Sequence, residues 1–79
     1  MEQVRMQKLS KEFDERVKSF LQDGYCKRVE VRTSTLLFAR LHHMSNGNDV
    51  VISGDLERLT FLQKTNGIIK YMTAFWRGN

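Results

Sequence analysis

The sequence predicts a single small α+β domain over residues 1–79, with an N-terminal amphipathic helix packed on an antiparallel β-meander of four to five strands. Three observations carry that expectation. Apolar residues between Val4 and Leu21 recur in steps of three and four, the period of one helical face. Two Asn-Gly pairs, Asn46-Gly47 and Asn66-Gly67, lie between strand-like segments, and Asn-Gly supplies the two positive-φ positions of a type I′ hairpin turn. From Lys27 to Arg32, charged residues alternate with Val29 and Val31, the period of a half-buried strand.

The helix is expected over about residues 3–23. Met6, Leu9, Phe13, Val17, Phe20 and Leu21 form its buried stripe. The pairs Lys8/Glu12, Lys11/Glu15 and Asp14/Lys18 lie four residues apart on the other face, where each is worth only ~0.2–0.5 kcal/mol and mainly solubilises. Gly24 is placed to take the left-handed conformation that ends the helix, with Tyr25 folding back on Phe20. The stripe covers only about two and a half heptads, short of the three or four that a coiled-coil arm wants.

The sheet is expected over about residues 27–76. Thr33, Ser34 and Thr35 turn the chain into a strand from Leu36 to Met44, and Asn46-Gly47 reverses it into Asp49 to Ser53. Gly54-Asp55 then reads as another tight turn into a strand from Leu56 to Lys64, setting Val50 opposite Leu59 and Ile52 opposite Glu57. Asn66-Gly67 leads to a strand from Ile68 to Trp76, with Phe61 opposite Met72 and Leu62 opposite Tyr71. The alternative is that residues 55–65, residues 68–77 or both are helical. Asp55 would then be an N-cap before Leu56, Leu59 and Leu62, and Ile68, Met72, Phe75 and Trp76 would share a face.

Counting outward from the turns collects Leu37, Ala39, Leu41, Val50, Ile52, Leu59, Phe61, Met72, Ala74 and Trp76 on the face that the helix would cover. The other face collects Arg40, His42, Met44, Val51, Arg58, Leu62, Lys64, Ile69, Tyr71, Phe75 and Arg77. The solvent face of an antiparallel sheet is normally polar, whereas this one interleaves aromatics and aliphatics with bases.

Composition narrows the functional classes. A 79-residue chain buries only about 60% of its unfolded surface, so its core is thin and dimerisation is a common remedy. Hydrophobic residues at 41% and charged residues at 28% are those of a folded globular domain and exclude a disordered tail or a membrane span. The single cysteine, Cys26, forms no internal disulfide, and no apolar leader with a cleavage site opens the chain, so the expected compartment is the reducing cytoplasm. Met1 to Gly24 carries five basic and five acidic residues, whereas Tyr25 to Asn79 carries eight and four, so the whole +4 belongs to the sheet.

No catalytic constellation emerges, and the chain is read as non-enzymatic, without cofactor or metal. His42 and His43 are adjacent on a strand and so point to opposite faces, unable to ligate one ion. Ser45, Ser53, His42, His43, Asp49 and Asp55 share one hairpin, yet no nucleophile elbow or oxyanion hole accompanies them. Ser45-Asn46-Gly47-Asn48 is sufficiently explained as a turn rather than as an anion cradle. Cys26 lies beside Lys27 and Arg28, which would favour a thiolate, but a lone cysteine at a strand start is more often a small buried hydrophobe.

The reading that remains is a small intracellular interaction module that binds a protein partner or a second copy of itself. A homodimer is expected, with Leu62, Ile69, Tyr71 and Phe75 buried against a symmetric copy. The alternative is RNA or single-stranded nucleic acid, with bases stacking on aromatic rings and cations meeting phosphate. The candidate binding residues are Arg40, Arg58, Lys64, Tyr71, Phe75 and Arg77.

Overall fold

The computed structural model describes residues 2–73. One helix, α1 (Glu2–Gln22), precedes five strands: β1 (Tyr25–Arg32), β2 (Leu36–His43), β3 (Asp49–Asp55), β4 (Thr60–Thr65) and β5 (Ile68–Thr73). The strands form one antiparallel sheet in the order β1-β2-β3-β4-β5, and α1 lies on one face of it. The fold is therefore α+β, a helix on a five-stranded meander, and neither 55–65 nor the described part of 68–77 is helical.

The helical stripe makes the core except at Leu21, which lies past the sheet contact and is 43% exposed. Leu9, Phe13 and Val17 are buried against Leu37, Ala39 and Leu41 of β2, Val50 and Ile52 of β3, and Phe61 of β4, with Met6 and Phe20 packed at the margin. No polar or charged side chain is fully buried among the described residues, so the interior depends on apolar burial and shape. At the end of α1, Gly24 has φ +99°, and the Phe20 and Tyr25 rings meet edge to face with centroids 5.2 Å apart. His43 closes this corner: its Nε2–H donates to the Asp23 carbonyl at 3.2 Å, its Nδ1 accepts from Ser45 N–H, and its ring stands edge to face with Tyr25. A Cβ on Gly24 would lie 2.8 Å from His43 Nε2. Gly24→Ala therefore combines a left-handed φ with a collision, and should cost about 1–2 kcal/mol in urea unfolding.

The turns are only partly those expected. Asn66 and Gly67 have φ +54° and +80°, and Thr65 pairs with Ile68, so this is the two-residue type I′ hairpin. At Asn46-Gly47 only Gly47 has positive φ. Gly47 N–H donates to the His43 carbonyl, an α-turn within the longer loop 44–48, and Met44 falls in that loop rather than in a strand.

Gly54-Asp55 is not a turn. Both residues belong to β3, and the chain reverses at 56–59, where Leu59 has φ 55°. Asp55 Oδ1 accepts from the backbone N–H groups of Glu57 and Arg58, the geometry of an N-cap, but the coil closes after one turn. Val50 consequently faces Thr65 and Ile52 faces Gln63, not Leu59 and Glu57. Leu59 leaves the sheet and packs partly against the core from the loop.

Two register shifts set the faces. In β1, Lys27 pairs with Leu41 and Val29 with Arg40, leaving Arg28 as the extra residue. In β5, Lys64 pairs with Ile69 and Gln63 with Tyr71, leaving Lys70 extra. A one-residue shift exchanges the faces of everything beyond it. Met72, expected in the core, therefore pairs with Leu62 on the opposite face and is 62% exposed, while Tyr71 joins the helix side. Ala74 and Trp76, also expected in the core, lie outside the described residues.

The helix side is charge-balanced. Glu30 accepts from Lys27 and Arg32, and Arg32 also reaches Asp14 of α1 at 2.7 Å. The hydrogen bonds from Lys27, then Arg32, hold the Glu30 carboxyl below its ordinary range, and Asp14 and Glu30 together raise the Arg32 pKa. A folded-state carboxyl pKa below the unfolded one stabilises above the unfolded value and loses that contribution as pH falls through the folded value. The Glu30 carboxyl should accordingly titrate by NMR with a midpoint below 4.5, and Arg32→Gln should move it upward. A midpoint at 4.5 or above would show that the cluster does not form in solution.

Candidate interaction face

The side of the sheet opposite α1 carries no element of the chain among the described residues, and strand pairing arranges its residues in rows. One row runs Val29, Arg40, Val51, Lys64, Ile69 across all five strands. The next runs Val31, Phe38, Ser53, Leu62, Met72. A third, shorter row places Cys26 opposite His42 and His42 opposite Asp49. Five strands spaced by ~4.8 Å make each full row ~20 Å long. Val29 is 43% exposed, Val31 40% and Ile69 55%, so an apolar surface continues from edge to edge.

Arg16, Lys27 and Arg32 are all paired with carboxylates, whereas Arg28, Arg40 and Lys64 have no ion pair among the described residues. The face's own carboxylates are engaged within the protein. Asp49 lies 3.2 Å from His42 Nδ1, and Asp55 caps the 56–59 turn.

Of the residues picked out from the sequence, Arg40 and Lys64 share the first row, flanking Val51. Arg58 does not join them. It sits in the 56–59 loop, its side chain 83% exposed and 4.0 Å from Asp55, because the strand expected to contain it begins only at Thr60. Tyr71 is displaced by the shift at Lys70 to the helix side, where the Arg16 guanidinium lies 4.2 Å from its ring centroid and 4.8 Å from that of Phe61. Phe75 and Arg77 lie outside the described residues. Cys26 is exposed rather than buried.

Arg28 and Phe38 were not singled out by sequence pattern. Phe38 was legible from alternation, since it stands between Leu37 and Ala39 and must face away from them. Arg28 was not, because a regular strand would put it on the same face as Glu30.

Cys26, His42 and Asp49 occupy one row, but no hydrogen bond joins Cys26 to His42 among the described residues. His42 and His43 point to opposite faces, and no group of three or more His, Cys, Asp or Glu gathers among the described residues. In the 44–48 loop, Ser45 N–H donates to His43 Nδ1, Gly47 N–H to the His43 carbonyl and Asn48 N–H to Asn46 Oδ1, so these amides are committed within the loop. Among the described residues no helix is long and apolar enough to cross a membrane. Comparison with protein-family models, with curated proteins and with solved structures finds no match for this chain.

Proposed function

We propose that the protein is a non-catalytic interaction module that binds another protein through the uncovered face of its sheet. The single observation that carries this reading is the pair of five-strand rows, in which apolar side chains from Val29 to Met72 adjoin arginines and a lysine that have no ion pair among the described residues. Extended apolar surface rimmed by polar groups is what interfaces bury. Aliphatics, Met and Arg at its centre match the composition of interface cores.

The test is capture from a native lysate, comparing wild type with Leu62→Glu and Met72→Glu. Met72 is 62% exposed, so its variant tests the face without a demand on folding. A protein retained by wild type and released by both variants supports the reading. No retained protein, together with turnover of a metabolite, would replace it with an enzyme.

A second copy of the chain is the competing occupant, favoured by the row from Val31 to Met72 and opposed by the cations it would bring toward each other. Light scattering separates the two occupants: a monomer at high micromolar concentration leaves the face to a different protein. A dimer dissociated by Leu62→Glu would assign the face to self-association. Nucleic acid is a weaker reading on this geometry, since Phe38 and His42 are the only aromatic rings on the face among the described residues and Phe38 is half-buried. RNA, single-stranded DNA and duplex DNA should give no gel shift at low salt with protein well above micromolar. A shift whose log–log salt slope falls by roughly 0.7–0.9 in Arg40→Gln would favour phosphate binding.

A further inference from the structure

We infer that the β1 bulge builds a carboxylate-binding subsite at one end of the open face, so that the partner presents an acidic side chain among apolar ones. This rests on the protein-binding reading and names the chemistry of what binds. Arg28, two residues on from Cys26, lies on the open face with it, and the extra residue brings Val29 onto that face as well, opposite Arg40; these three, with His42 and Asp49, line a cavity of about 200 Å³. Bulges commonly re-aim a side chain in this way.

Arg28 and Arg40 line the same cavity from neighbouring strands, and neither has an ion pair among the described residues. The one carboxylate that lines the cavity, Asp49, is taken up by His42 at 3.2 Å. Two arginines against one aspartate leave one cation of the lining without a carboxylate among the described residues, the match of a single carboxylate ligand. Two guanidinium forks offer paired N–H donors to the two oxygens of a carboxylate. Val29 and Val31 continue the surface away from it, so apolar residues beside the acid would meet the face at once. Lys64, two strands from Arg40 and so ~10 Å away, is placed for a second acid.

The test needs no partner. Labelled protein is titrated with sodium acetate at constant ionic strength against chloride, following the Nε–Hε resonances of Arg28, Arg40 and Arg58 and the His42 ring protons. Saturable shifts are expected at Arg28, Arg40 and His42 and not at Arg58. Arg40→Gln should weaken the Arg28 response about tenfold or more, the loss expected when one charged hydrogen-bonding partner is removed. Unsaturated drift of equal size at all three arginines would overturn the subsite. A parallel titration with dimethyl phosphate, a monoanion of nucleic-acid chemistry, should bind no better than acetate, and tighter binding would overturn the choice of carboxylate. The two proposals fail separately. A captured protein released by Met72→Glu but kept by the Arg28→Gln, Arg40→Gln double variant leaves the face standing and removes the subsite.

Discussion

Phe13→Ala should bring the domain to the edge of unfolding at room temperature. Phe13 has no exposed surface and sits at the centre of the α1 stripe, between Leu9 and Val17, where it is the largest helix side chain in the core. Truncating a buried Phe costs about 3–5 kcal/mol in lost transfer energy and residual cavity. At ~0.05–0.15 kcal/mol per residue, a chain of 79 residues has a total stability of about 4–12 kcal/mol, so one truncation removes a large share of it. Urea unfolding should show the midpoint displaced to low denaturant or the transition lost. A shift below about 1 kcal/mol would mean that α1 is not docked on the sheet as described.

The second large effect is expected at Gly54, where the chain needs an absent side chain rather than an unusual backbone. A Cβ there would lie 2.3 Å from Leu9 Cδ1 and 3.4 Å from Phe61 Cδ2. Leu9 is wholly buried, so its tip cannot swing into solvent, and α1 itself must move. Gly54→Ala should therefore destabilise by about 1–3 kcal/mol, the usual cost of overpacking a filled site. Leu9→Ala alone should also destabilise, by about 2–5 kcal/mol, because it opens a cavity. The double variant should be more stable than the sum of the two implies, since the new methyl occupies space vacated by leucine. Strict additivity would show that Gly54 and Leu9 do not touch.

These two sites show how much of the fold could be read from the sequence and where reading stopped. Leu9 and Phe13 were legible because the helical period is local and needs no partner. Gly24 and Asn66-Gly67 were legible because their backbone conformations are written in residue type. Gly54 misled because glycine followed by aspartate signals a turn just as well as it signals a close approach, and only the position of α1 decides between them. The alternating residues of β2 and β3 disclosed their inward face, and Leu37, Ala39, Leu41, Val50 and Ile52 are all buried.

The outward face was harder for a different reason. Assigning residues by counting from a turn assumes constant register, and Arg28 and Lys70 each break it by one residue. Neither carries a compositional mark of a bulge. Arg40 and Lys64 were reached because no shift intervenes between their strands and β3. Tyr71 was assigned to the wrong face because it lies past the Lys70 shift, and Arg28 was missed because it is itself the extra residue. The shift at Lys70 takes the Tyr71 ring off the open face and sets it against Arg16 instead.

The most direct test of the open sheet face as the binding surface is a methyl NMR footprint of the captured protein on labelled chain. The methyl groups of Val29, Val31, Val51, Leu62, Ile69 and Met72 should shift or broaden on binding, while those of Val4 and Leu21 on the exposed side of α1 should not. A footprint on α1, with the two sheet rows unmoved, would contradict it.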